Sequence, residues 1–287
     1  MRGKTVSPVA VPCQTESQTR VIAPSGWRLL VDPPGDGAWN MAVDEAIATA
    51  VGEGGVGPTL RLYGWSHPTV SLGFLQRASI GADLAACRRR GIPVVRRLTG
   101  GRAVLHAEEL TYSVALPLAG PWGELSVAAS FRAINAGLLE MLRRLGVAAS
   151  VGPPERHEAA AGDTGLCFLA RRMPAILVAG RKLIGSAQRR AASWLLQHGS
   201  LLLELDETLH RELFPAWPGA GASGVTCLRE VLGRRPSGDE LSATLQGAWT
   251  AALGGPCRPG RLTSAELREA ERLAKERYAA ASWTWQR

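Results

Sequence analysis

The chain has 287 residues, 46% of them hydrophobic, and carries a formal charge of +8. That length buries a substantial core as one large domain or two small ones. No apolar run approaches the roughly 20 residues a membrane span needs, and no apolar segment follows Arg2 and Lys4, so neither a membrane protein nor a secreted one is expected.

The charge, with an isoelectric point near 9.8, invites a nucleic-acid reading. Three features argue against it. Arginine is spread along the whole chain, several basic pairs lie inside strand patterns, and aromatics are only 6% with no tryptophan interleaved among basic residues. A basic surface equally suits an acidic protein partner, by steering encounter. The five cysteines (13, 87, 167, 227 and 257) include no Cys-x-x-Cys pair and no Cys/His cluster, so neither a disulfide framework nor a structural zinc site is expected. A reducing cytoplasm fits, where a free thiolate survives as a nucleophile.

In chain order, residues 1–25 are rich in Ser, Thr, Gln, Pro and Val and read as a disordered tail. Asn40 is a suitable N-cap for a helix with Val43, Ala46, Ile47, Ala50 and Val51 at helical spacing, stopped by Gly52. Strands are expected over 60–63 and 69–74, joined by a turn, then a short helix over 81–90. Strands 92–95 and 110–116 flank a Gly100-Gly101 turn. Ser126 opens a long amphipathic helix with Phe131, Ile134, Leu138, Leu142 and Leu145 on one face, followed by a strand over 147–151. Residues 152–165 are Gly, Pro, Ala and charge without periodicity, a loop of the kind that closes over a substrate. An apolar strand over 174–179 meets a turn at Gly180; strands over 186–190 and 195–204 follow. Past Pro215 the pattern is helical, with capping boxes at Ser237–Glu240 and Thr263–Glu266. Strands dominate the middle and helices flank it. The fold class is α+β, a mixed or antiparallel sheet flanked by helices: a catalytic core over 26–215 and a helical C-terminal extension over 216–287 packed on it.

Two stretches carry chemistry. Arg96-Arg-Leu-Thr-Gly-Gly-Arg-Ala-Val-Leu-His106 places adjacent glycines between strands, where backbone approaches a ligand closely, with arginines suited to carboxylate or phosphate on either side. The second runs from Gly165 to Arg190 and contains Cys167 and Lys182. Only three residues of the chain are lysine (4, 182 and 275). At Lys182 the chain uses a compact ammonium with tunable proton affinity, which arginine does not supply. Taken alone, each stretch has a plain structural reading: a hairpin turn, a surface lysine, a buried cysteine.

Together these stretches, with Asp36-Gly-Ala-Trp-Asn-Met-Ala-Val-Asp-Glu-Ala46 and Leu195-Leu-Gln-His-Gly-Ser-Leu-Leu-Leu203, resemble the lipoate/biotin-attachment superfamily of lipoate–protein ligases, biotin–protein ligases and octanoyltransferases. The Cys167-Phe168 pair, fifteen positions before Lys182, is similar to the LipM-type octanoyltransferase branch. The resemblance runs from about Trp27 to the C-terminus. It implies a biotin/lipoate–protein ligase-like catalytic domain with Cys167 and Lys182 as catalytic residues: the thiolate would take an octanoyl group from acyl carrier protein and pass it to a lysine of a lipoyl domain such as glycine cleavage H protein, in lipoate biosynthesis. Lys182 would lower the thiol pKa and steady the oxyanion. Arg97, Thr99, Gly100, Gly101, Arg102, His106, Gly180, Gly185 and Ser186 would bind substrate, with the glycine turn as one wall near the acyl carbonyl. His106 would line the acyl pocket rather than act as base. No cofactor, metal or nucleic acid is implied. His157 reads as solvent-exposed, His67 as a turn residue, and Cys87 and Cys227 as fillers.

The chain departs from the pattern at Ala107, where many relatives have aspartate, and at Arg102, which replaces a third glycine of the ATP-using ligases and should crowd an adenylate. The alternatives are an ATP-dependent lipoate or biotin ligase, an amidotransferase moving octanoyl between lipoyl domains, and a non-catalytic basic binding protein.

Overall fold

A computed structural model describes residues 25–152, 174–218 and 224–287. The N-terminal tail with Cys13, nearly all of the 152–165 loop with His157, and Cys167 lie outside the described residues. The elements in order are β1 (Trp27–Val31), α1 (Gly37–Gly52), β2 (Thr59–Tyr63), β3 (Thr69–Leu72), α2 (Leu84–Arg89), β4 (Val94–Arg96), β5 (Val104–His106), β6 (Glu109–Pro117), α3 (Pro121–Glu124) and α4 (Val127–Arg144). Then come β7 (Ala149–Gly152), β8 (Ala175–Val178), β9 (Arg181–Arg190), β10 (Trp194–Leu202), α5 (Glu207–Leu213), α6 (Leu228–Leu232), α7 (Gly238–Leu253), β11 (Cys257–Pro259), α8 (Ser264–Leu273), a π-helical turn (Ala274–Tyr278) and α9 (Ala281–Thr284).

Eight strands form one mixed sheet in the order β11-β1-β2-β6-β10-β9-β8-β7. The β11–β1 and β1–β2 pairs are parallel and the rest antiparallel. A second sheet of three strands, β4-β3-β5, is also mixed. The fold is α+β, as expected. Both faces of the large sheet are covered. In β1, Leu29 joins a core with α4 and α7 (Ile134, Leu138, Leu245, Trp249), while its neighbour Leu30 joins a core with α1 and α8 (Met41, Ile47, Ala270). A third core, with Val70, Leu105 and Phe214, lies under the small sheet.

Local chemistry explains several boundaries. Asp36, not Asn40, caps α1, accepting from the Trp39 amide at 2.8 Å. Asn40 lies inside the helix and is fully buried; its side-chain nitrogen donates to the Gly35 and Gly64 carbonyls, so its polarity serves tertiary contacts rather than a cap. Ser126 caps α4 as expected. Of the two capping boxes only Thr263–Glu266 closes. Ser237 accepts from the Glu240 amide, but the Glu240 carboxylate turns to Arg234, where a charge-assisted pair competes with a neutral amide. The strand expected over 186–190 starts earlier, at Arg181, as one ten-residue β9. Cys227 occupies the N-cap position before α6, and the hydroxyl of the preceding Thr226 donates to Glu230. β11, three residues ending in Pro259, is too short for an alternating pattern, and exists because β1 offers it an edge.

Candidate active site

One face of the large sheet, α1 and the small sheet line a partly open cavity with about 30 Å³ of free space. Its floor is a row across the strands, Tyr63–Thr111–Ser200–Gly185, with His198 and Ala187 in the next row. Met41 comes from α1, Val104 and His106 from β5, and Arg97 and Trp65 from loops at the small sheet. Of the residues singled out from sequence, Arg97, His106, Gly185 and Ser186 line this cavity. Thr99, Gly100, Gly101, Arg102, Gly180 and Lys182 are not in its lining, whereas Arg97 and Val104, on either side of the glycine turn, are.

Those residues have definite places. Arg97 is buried and knits the loop: Nη1 donates to the Ser71 carbonyl and hydroxyl (3.0 and 2.9 Å), Nη2 to the Gly100 and Arg102 carbonyls (2.8 and 2.7 Å). Gly101 has φ 91°, a backbone state that favours glycine. Gly73 passes directly under it; a Cβ there would land on the Gly101 carbonyl. Gly180 (φ 76°) and Ala179 (φ 47°) form the exposed two-residue tip of the β8–β9 hairpin, matching a type I′ turn. The Ser186 hydroxyl pairs with Tyr112 Oη at 2.7 Å. Gly199, opposite Ser186, is required by crowding: a Cβ would meet the Gly185 carbonyl at 2.5 Å. His67 sits exposed at a bend, and Cys87 and Cys227 are buried in the small-sheet core.

Lys182 is buried, 4% exposed, near the start of β9. Its backbone is tied to a second segment: its amide donates to the Gly224 carbonyl and its carbonyl accepts from the Thr226 amide. A β-bulge governs where its side chain goes. β8 pairs Ile176 with Ile184 and Leu177 with Lys182, leaving Leu183 as an extra residue. Leu183 and Ile184 consequently both enter the α4/α7 core, along with Ile176 but not Leu177. Alternation then turns Lys182 to the opposite face, the one on which Gly185 and Ala187 border the cavity.

Two buried carboxylates stand behind the cavity wall, both passed over in the sequence reading. Asp44 accepts from Arg61 Nη1 (2.8 Å), Ser113 Oγ (2.7 Å), Tyr63 Oη (2.9 Å) and His198 Nδ1 (3.1 Å). Glu109 Oε1 accepts from His106 Nδ1 (2.8 Å), Thr111 Oγ1 (2.5 Å), Ser200 Oγ (2.7 Å) and Trp65 Nε1 (3.2 Å). Burial pushes both carboxyls up, but these donors and charges outweigh it and hold each below the usual carboxylate range. An ionised carboxylate only accepts, so each imidazole carries its proton on Nδ1. Each Nε2 is engaged in turn: that of His198 accepts from Thr99 Oγ1 at 2.6 Å, and that of His106 pairs with Ser71 Oγ at 2.7 Å. Desolvation holds His198 below its ordinary pKa despite Asp44. The His106 ring also stacks on Trp65, centroids 4.0 Å apart. His198 is thus a neutral wall, and both nitrogens of each histidine are engaged. Asp44 and His198 sit inside the Asp36–Ala46 and Leu195–Leu203 motifs, which was the available signal; Glu109 had none beyond its spacing from His106.

The lipoyl protein ligase A/B catalytic domain family matches residues 36–250. The chain is 41% identical over 272 residues to octanoyltransferase LipM of Kyrpidia tusciae, covering 91% of this chain and 99% of that one. It is 39% identical over 273 residues to octanoyltransferase LipM of Symbiobacterium thermophilum, covering 90% and 98%. Among solved structures, a lipoate-protein ligase A bound with ATP superposes with a TM-score of 0.73 at 25% identity, over 91% of this chain and 98% of that one. The bipartite lipoate protein ligase of Thermoplasma acidophilum gives 0.72 at 23%, over 91% and 96%. The family match and the near full-length relatives agree with a cavity set between two mixed sheets: the chain belongs to the lipoyl protein ligase A/B catalytic domain family.

Proposed function

We propose that this chain is an octanoyltransferase of lipoate biosynthesis, an acyltransferase working through a thioester on Cys167. Its near full-length relatives named octanoyltransferase LipM support the activity. The observation that carries the reading is the cavity itself: a slot whose polar groups are paired away from it, beside a strand whose bulge turns a buried lysine to the same face. In the first half-reaction the Cys167 thiolate attacks the octanoyl thioester of acyl carrier protein; the new C–S bond forms as the carrier's thiolate leaves. In the second, the neutral amine of a lipoyl-domain lysine, in glycine cleavage H protein or another acceptor, attacks that thioester. An amide forms, the amine gives up a proton and the Cys167 thiolate is released. Lys182, as an ammonium, favours the thiolate before attack and the oxyanion during it. Six buried methylenes at about 0.8 kcal/mol each would hold the acyl chain with roughly 5 kcal/mol. Free-thiol chemistry of this kind fits the cytoplasm.

Within the same reading Arg97 and Thr99 organise the glycine turn and His106 forms a wall, while Gly185 and Ser186 border the chain. The test is the intact mass of the protein after exposure to octanoyl-acyl carrier protein without ATP. An octanoyl adduct lost in Cys167→Ala is the expected result. Acyl-adenylate formation that needs ATP, with no adduct, would overturn it in favour of a ligase; an adduct formed only from an octanoylated lipoyl domain would identify an amidotransferase.

A further inference from the structure

A slot for a fatty acyl chain should be lined by carbon, yet this one is built from tyrosine, tryptophan, histidine, threonine and serine. Every such polar group is turned outward. Tyr63 and His198 donate to Asp44; Trp65, His106, Thr111 and Ser200 donate to Glu109. We propose that Asp44 and Glu109 are positioning residues that set acyl-chain selectivity: hidden carboxylates that gather the donors of a polar wall so that it presents carbon to the chain. The inference rests on reading the cavity as the acyl slot.

The geometry explains why carboxylates are needed. Each accepts four donors with a full negative charge, and neither can donate back toward the cavity. The two sites differ in a useful way. Both Asp44 oxygens are engaged, Oδ1 by Arg61 and Ser113, Oδ2 by Tyr63 and His198. In Asp44→Asn the amide nitrogen therefore faces donors in either orientation: at the Oδ2 position it opposes Tyr63 and His198 of the lining, and at the Oδ1 position it opposes Arg61 and Ser113, while Arg61 loses its buried charge partner in both. At Glu109 all four donors meet Oε1, and Oε2 has no partner among the described residues. Glu109→Gln can place its nitrogen there and keep an oxygen toward all four donors; it loses the charge and leaves a buried amide donor away from the slot, so for the lining it is the milder change.

The experiment measures second-order acylation of the full-length protein by butanoyl, hexanoyl and octanoyl thioesters of N-acetylcysteamine, followed by intact mass. A dry slot gives about a fourfold gain in rate per added methylene in the unmodified protein. The expected result is a gain below twofold per methylene in Asp44→Asn and an intermediate gain in Glu109→Gln. Damage to the fold alone would lower all three rates by one factor and leave the gain per methylene intact; that parallel loss overturns the proposal while leaving acyl transfer standing. Should Asp44→Asn fail to accumulate, the unmodified protein and Glu109→Gln decide it: an unmodified gain below twofold, or an unchanged gain in Glu109→Gln, overturns it. No adduct from any of the three thioesters overturns the acyl-transfer reading and this inference together.

Discussion

Lys182 and Gly185 share one face of β9, although three positions in an unbroken strand would put them on opposite faces; the extra residue Leu183 makes the difference. The bulge turns Lys182 away from the helical core while two leucine-like side chains in succession, Leu183 and Ile184, fill that core.

Lys182→Met should slow Cys167 acylation by roughly 10²–10³-fold, the usual cost of losing one electrostatic stabiliser. It should also raise the thiol pKa in an alkylation-rate titration. Lys182→Arg should recover little, since a forked guanidinium does not fit where a compact ammonium sits. An unchanged alkylation profile in Lys182→Met would remove the lysine from the mechanism.

Gly73→Ala should displace the Gly100–Gly101 turn, because its methyl meets the Gly101 carbonyl. We expect a stability loss of about 1–3 kcal/mol by urea denaturation. Acylation should fall more than tenfold in the fraction that remains folded, since small misplacements near reacting groups are costly. Gly146→Ala, strained by its φ of 77° but beyond the far end of α4, should cost about 1–2 kcal/mol and leave acylation alone.

Stability should fall on the acid side in two stages. His198 is held below its ordinary value by burial, so the unfolded chain takes up a proton below about pH 6.5 that the fold resists. Each such group removes up to about 1.4 kcal/mol per pH unit until its folded value is reached. His210, also depressed chiefly by desolvation, adds to this stage. Asp44 and Glu109, lowered in the fold, add a second loss below about pH 4. In His198→Gln, urea denaturation between pH 7.5 and 5.5 should show a shallower slope; an equal slope would contradict a buried neutral imidazole.

Glu266→Ala should destabilise the chain by about 3–5 kcal/mol. Its buried carboxylate meets Arg28 of β1 at 2.5 and 2.8 Å and closes the capping box of α8, so one substitution strips a buried charge partner and a helix cap. Thermal unfolding would check this, and a loss under 1 kcal/mol would show that α8 docks without the pair.

Local chemistry was legible wherever a residue acts on its own neighbours. Ser126 and Thr263 capped helices as read, the apolar stripe of α4 was buried from Phe131 through Leu142, and Gly180 made its hairpin turn. The class, α+β, followed from the order of such elements. The four motifs also carried the family resemblance, because their residues are contiguous in the chain.

What the sequence by itself determined, then, was the identity of the elements and the short runs that serve the site. Which side chains meet was decided only by the tertiary structure. Asn40 looked like a cap and became a buried tie; Asp44 and His198, 154 positions apart in two separate motifs, became partners. A capping or turn preference is an energy between neighbours along the chain, written in adjacent letters. The pairing of Asp44 with His198, or the bulge that turns Lys182 away from the helical core, depends on strand register, and register is set by the packing of whole faces at once.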